Sequence, residues 1–307
     1  MGNLGRAMAE RQVRTLLDGG SFFEGPRWHD GRWWVSDFYR HRVVAIDPGG
    51  REEHVMTVEG QPSGMGWLPD GTLLVVSMRD HRILRRTADG AVSEHADVGE
   101  LCTGYLNDMV VDRHGRAYAG NFGFDLMGGG DPSPAALIRV DPDGTAAVAA
   151  EDMLFPNGSV ITPDGRTLIV GETAGARYTA FTIEEDGWLG DRRIWAQVAP
   201  TPPITTLEET LGKLRFGPDG CGLDAEEHIW SADEVGARCA RVAPGGEIVD
   251  EVAMPEGLNV FACMLGGEDG RTLLMCAAPD FFAEARSAAN EAVLLTTTVD
   301  VPHAGLP

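Results

Sequence analysis

Residues 155–187 read FPNGSVITPDGRTLIVGETAGARYTAFTIEEDG, and this stretch decides the fold. Val160 and Ile161 run into Pro163-Asp164-Gly165. Proline suits the first corner of a turn, and glycine takes the positive φ that follows. Leu168, Ile169 and Val170 form a second apolar run, which Ala174-Gly175 turns back. Tyr178, Ala180, Phe181 and Ile183 form a third before Asp186-Gly187. Three antiparallel strands of this length cannot bury both faces alone, so the module needs neighbours.

The chain supplies them. The pattern recurs as EGPRWHDGRWWVSDFYRHRVVAIDPGG from Glu24 and PSGMGWLPDGTLLVVSMRDHRILRRTADG from Pro62. A third copy opens LNDMVVDRHGRAYAGNFG at Leu106 and ends ALIRVDPDG at Gly144; the Phe155 unit is the fourth. The fifth is GPDGCGLDAEEHIWSADEVGARCARVAPGG from Gly217, and the sixth NVFACMLGGEDGRTLLMCAAPD from Asn259. Six β-repeats imply radial repetition and predict an all-β, six-bladed propeller. The alternatives, a β-sandwich or two small barrels, rarely repeat internally. We expect one domain over 1–307, with blades opening near 24, 62, 106, 155, 217 and 259.

Composition agrees. Glycine is 40 of 307 residues, enough for a turn at every blade corner, and the 43% hydrophobic content can fill a core. A net charge of −22 argues against nucleic acid and anionic membrane as partners. No run of 18 apolar residues appears, and the start, MGNLGRAMAERQVRTLL, lacks the apolar centre of a secretory signal. Cys102, Cys221, Cys239, Cys263 and Cys276 are odd in number with no C-x-x-C, a pattern of buried reduced thiols. A cytoplasmic location is expected. The histidines are scattered without H-x-H or H-E-x-x-H, which disfavours a histidine-based metal.

In a propeller the inner strands begin near the central channel. Four repeats open there with a polar side chain: Glu24 in EGP, Asn107 in LND, Asn157 in PNG and Asp219 in PDG. Carboxylate and amide oxygens from four separate parts of the chain suit Ca²⁺, Mg²⁺ or Mn²⁺, with Zn²⁺ as a further option. The plain alternative is that Asn-Gly, Asn-Asp and Asp-Gly only form turns, as Pro69-Asp70-Gly71 and Pro163-Asp164-Gly165 do. Position favours function, because the four precede an inner strand and not a turn between strands.

With those motifs in order, EGP, LND, FPNG and PDG-x-x-x-D, the chain resembles the SMP-30/gluconolactonase/regucalcin family from about Phe22 to Val301. The resemblance implies a divalent metal in the central channel held by Glu24, Asn107, Asn157 and Asp219. It implies hydrolysis of sugar lactones and related cyclic esters, and reaches more distantly to organophosphate hydrolases. Calcium is the expected ion. The metal would act as Lewis acid on the lactone carbonyl, with Asp219 as general base or, alternatively, as ligand only. Where aldonolactonases of the family carry an arginine two residues before the blade-three asparagine, this chain has Tyr105. Asp125 stands where some members have a helping acid, and is read as a substrate contact or a loop carboxylate. Tyr105, Phe122, Phe124 and Met127 point to a less polar pocket than a sugar acid would want.

Three architectural expectations follow. Glu172 and Asp233 end second strands next to Gly-rich turns and serve corner hydrogen bonding or arginine pairing within the blade. Residues 188–216 form the longest interruption between repeats, with a short helix over Leu207–Leu214 and a role as lid or subunit contact. The C-terminal run 292–301 pairs with Val13–Leu17, closing the ring in one sheet. The reading is a metal-dependent lactonase acting on a small molecule, with homo-oligomerisation open. The alternatives are a non-catalytic Ca²⁺-binding or regulatory propeller, or a lyase or isomerase working through an enolate.

Overall fold

The computed structural model describes residues 11–305, so the first ten residues of the start read above lie outside it. Six four-stranded antiparallel sheets stand in a ring. Their inner strands are Phe23–His29, Pro62–Trp67, Leu106–Val111, Pro156–Ile161, Pro218–Leu223 and Asn259–Gly266. Each packs against the inner strands of the blades on either side, and the first against the last. Arg14–Gly20 pairs with Ala292–Thr298 as the outermost strand of blade six, Thr15 lying opposite Leu295. Both termini of the ring therefore share one sheet. The propeller is the arrangement the repeats predict.

Burial explains which strands the sequence advertises. Inner strands are covered on both faces, and all six residues of Leu106–Val111 are buried. Trp33, Trp230, Tyr118 and Tyr178 fill the space between blades, each worth on the order of 2–3 kcal/mol of transfer free energy. Outer strands are different. Glu52–Thr57 (EEHVMT) and Val92–Asp97 (VSEHAD) are mostly exposed and charged, which blunts them as free edges. That polarity hid the outer strands of blades one and two from the three-strand reading. Hence one correction: residues 188–216 are not wholly an interruption, because Leu189–Gln197 is the outer strand of blade four.

Blade corners repeat one device. An acid ends the second strand and an arginine five residues on begins the third: Asp37 with Arg42, Glu172 with Arg177, Asp233 with Arg238. Glu172 is fully buried, takes two bonds from Arg177 at 2.8 and 2.9 Å, and also accepts from the Leu154 N–H and the Thr179 hydroxyl. Both acids singled out in the sequence are thus spent on structure. All five cysteines are free thiols, and four are buried. Among the described residues no helix is long and apolar enough to cross a membrane.

Candidate functional site

Glu24, Asn107, Asn157 and Asp219 are each the second residue of an inner strand. Just after each, pairing with the neighbouring strand slips: between Glu24 and Arg27, Leu106 and Met109, Pro156 and Ser159, Pro218 and Cys221. Such a bulge re-aims a side chain that regular pleating would commit to one face. All four side chains accordingly line one cavity at the mouth of the ring, of about 130 Å³. Close packing of inner strands holds them there. A Cβ on Gly158, directly after Asn157, would run into the backbone oxygen of Asp219, so only glycine lets these two strands approach.

The four are largely free of protein partners. Asn157 Nδ2 donates to Thr173 Oγ1 at 3.2 Å, and that hydroxyl donates to the Pro218 carbonyl at 2.7 Å. This chain anchors the amide beside Asp219. The Asn107 Nδ2 is buried with no acceptor among the described residues. Among the described residues Glu24 accepts only its neighbour's N–H, from Gly25 at 2.6 Å. Beneath them, Arg27 Nη2 donates to Asp108 Oδ1 at 2.8 Å and to the Met109 carbonyl at 2.6 Å, forming a buried ionic floor.

Charge is unbalanced above that floor. Burial, then the Asp108 charge, pushes the Glu24 carboxyl well above its usual range. Burial, then Glu24 and Glu234, does the same to Asp219. Among the described residues no lysine or arginine lines the cavity to offset them. Two carboxylates and two amide oxygens, unspent and short of positive charge, are a donor set that fits a hard divalent cation. Among the described residues no three acidic, histidine or cysteine side chains cluster at metal-binding spacing, so any such ion depends on the two amides as well.

The remaining sequence-predicted residues divide. Tyr105 lines the cavity and packs on Phe122, with ring centroids 5.9 Å apart. Asp125 does not line it. It lies in an adjoining hollow with His81 and Cys102, where its carboxylate accepts the Gly128 N–H at 2.9 Å and closes a turn. Residues 207–213 form helix α1 (Leu207–Lys213), capped where Thr206 accepts from the Glu209 N–H. Leu207 N–H donates to Asp131 at 3.1 Å, drawing the helix onto the blade-three loop, so its leucines wall the cavity.

Glu234 is the charged cavity residue that sequence reading missed. It follows Asp233 in SADEV; once Arg238 claims Asp233, the next carboxylate is left facing the channel. Burial, with a smaller push from Asp233, raises it to about 7. The folded value exceeds the unfolded one, near 4.5, so the folded state keeps a proton in that window which the unfolded state has lost. Its stabilising contribution is complete below pH 4.5 and is lost as pH rises through 7, by at most about 3 kcal/mol. Urea unfolding of cation-stripped protein at pH 5 and pH 8 checks this. Glu234→Gln should show a smaller drop than wild type, and an equal drop in both would refute the assignment.

Comparison with known proteins places the chain in a family and bears on its fold. The family described as SMP-30/Gluconolactonase/LRE-like region matches residues 22–279. The 6-deoxy-6-sulfogluconolactonase of Pseudomonas putida is 30% identical over 208 residues, covering 66% of this chain and 64% of that protein. Pentonolactonase XacC of Haloferax volcanii is 29% identical over 213 residues, covering 68% and 65%. The matches therefore span slightly under two thirds of either relative's length. Among solved structures, a calcium-binding regucalcin from Agrobacterium tumefaciens superposes with TM-score 0.76 at 20% identity, covering 97% of both chains. A Xanthomonas campestris gluconolactonase gives TM-score 0.72 at 22% identity, covering 97% of this chain and 94% of that one. At such identities these two likenesses establish the fold.

Proposed function

The chain belongs to the SMP-30/Gluconolactonase/LRE-like family, and we propose that it opens lactones by hydrolysis with the help of one divalent cation. The observation that carries the proposal is the meeting of Glu24, Asn107, Asn157 and Asp219, from four blades, in one cavity. The names of the sulfogluconolactonase and the pentonolactonase support the reaction class. Glu24 and Asp219 would hold the cation through anionic oxygens, and Asn107 and Asn157 through neutral ones. Calcium is the first candidate for such a set, with magnesium, manganese and zinc behind it. When bound, such an ion polarises an ester carbonyl and offsets the charge that develops on its oxygen.

The chain's own residues would do the rest. Asp219 takes the proton of the attacking water as general base. Asn157, steadied by Thr173, keeps a neutral oxygen beside it, and the Arg27–Asp108 pair holds the floor rigid. The apolar walls exclude bulk water, which strengthens every charge interaction within.

A pH-indicator assay tests the reading. Cation-stripped protein is offered γ- and δ-lactones, with Ca²⁺, Mg²⁺, Mn²⁺ or Zn²⁺ added back. Acid release that depends on the ion is the expected result. Tight ion binding with no lactone opened, across both ring sizes, would overturn it.

A further inference from the structure

We propose that the lactone taken by this site is uncharged and apolar, carrying a flat aryl group that lies between two facing aromatic walls. The inference rests on the lactonase reading above and names its substrate class.

The first wall comes from blades three and four. Phe122 and Phe155 have ring centroids 4.7 Å apart, flanked by Tyr105 and Phe124. The second comes from blades six and one, where Phe22 contacts Phe261 at 4.7 Å and Phe38 at 5.2 Å. In a ring of six these two pairs of blades stand opposite one another, and all these rings line the same cavity. Leu207, Leu211 and Leu214, from α1 and the residue after it, cover a third side.

Chemistry excludes the alternatives. Each hydroxyl of a sugar lactone buried against phenylalanine would forfeit a hydrogen bond, at about 1–3 kcal/mol apiece. Glu24, Asn107, Asn157 and Asp219 belong with the reacting ester, and Tyr39, Thr173 and Thr210 already donate their hydroxyl protons to backbone carbonyls, which leaves Gln61, Tyr105 and Glu234 as the polar side chains open to a substrate hydroxyl. A sulfonate or carboxylate on the substrate would face Glu24, Asp219 and Glu234, with no lysine or arginine among the described residues of the lining. The approach is apolar too. Met127 and Leu211 at the mouth are 38% and 44% exposed, and Phe282, tilted against the cavity residue Phe281 with ring centroids 4.9 Å apart, is 60% exposed. Exposed apolar side chains gathered at one opening mark a binding route.

Two measurements on the cation-replete full chain decide the matter. The first compares kcat/KM for a phenyl-substituted δ-valerolactone with that for glucono-δ-lactone, the same ring with hydroxyls in place of the aryl group. A preference of about 100-fold for the phenyl compound is expected, the worth of one buried aromatic ring. The second titrates the matching phenyl lactam, which is not opened, by calorimetry against wild type and Leu211→Asp. Leu211 is exposed, so the variant should fold normally, and a charge at the mouth should weaken lactam binding about tenfold or more. Gluconolactone opened as fast as the phenyl lactone would overturn this proposal and leave the lactonase reading standing. Lactam binding without hydrolysis of either lactone would uphold the apolar slot and overturn the lactonase reading. Equal lactam affinity in wild type and a correctly folded Leu211→Asp would also overturn the slot.

Discussion

Asp219→Asn should lower kcat/KM for lactone opening by about 10²–10⁴-fold, carried almost entirely by kcat, the usual worth of a positioned general base. The substitution keeps an oxygen at the same place and nearly the same volume, so the inner strand Pro218–Leu223 and its neighbours should be undisturbed. What disappears is the capacity to accept a proton. Calorimetric titration with Ca²⁺ separates the two roles proposed for this residue. Retained binding with lost turnover marks Asp219 as the base. Loss of both marks it as a ligand whose charge the cation requires. An unchanged rate would remove Asp219 from the chemistry altogether.

Arg27→Met is expected to cost about 3–5 kcal/mol of stability, although Arg27 is not among the cavity-lining side chains. Its guanidinium and the Asp108 carboxylate are each 4% exposed and pair at 2.8 Å. Removing the arginine strands Asp108 as a buried charge beneath Glu24 and Asp219, both already disfavoured as anions by burial and by neighbouring acids, Asp108 for Glu24 and Glu24 for Asp219. Because the penalty is an unpaired charge and not lost packing, Arg27→Met combined with Asp108→Leu should recover most of it. Denaturant midpoints at pH 7 for the two single variants, the double variant and wild type complete the cycle. A double variant no better than Arg27→Met would show that the loss is one of shape. Added cation should rescue Arg27→Met in part, since it supplies positive charge to the same cluster.

Much of this molecule was legible in residue order, and for an identifiable reason. Inner and middle strands are buried, so their runs must be apolar, and their turns must carry Asp-Gly or an equivalent, as at Asp164-Gly165. Those demands recur six times and make the propeller readable. The second-position polar residues were readable because Glu24, Asn107, Asn157 and Asp219 break an otherwise apolar strand start at the same place in four repeats. Outer strands such as Glu52–Thr57 were not readable as strands, because exposure removes the pressure for alternation. Leu189–Gln197 therefore passed as loop.

Sequence alone determined the repeat, the ring it implies and four side chains that break its pattern, since each of these is written locally in every blade. Only the tertiary structure decided what surrounds them. It set Asp125 in an adjoining hollow, because a turn claims its carboxylate. It brought Glu234 into the cavity, because Arg238 takes Asp233 and leaves the next acid to the channel. It faced Phe122 and Phe155 across the cavity from Phe22 and Phe261, residues more than 90 positions apart in the chain. A ring converts sequence distance into opposition across its axis, and no local pattern records which residues will meet there.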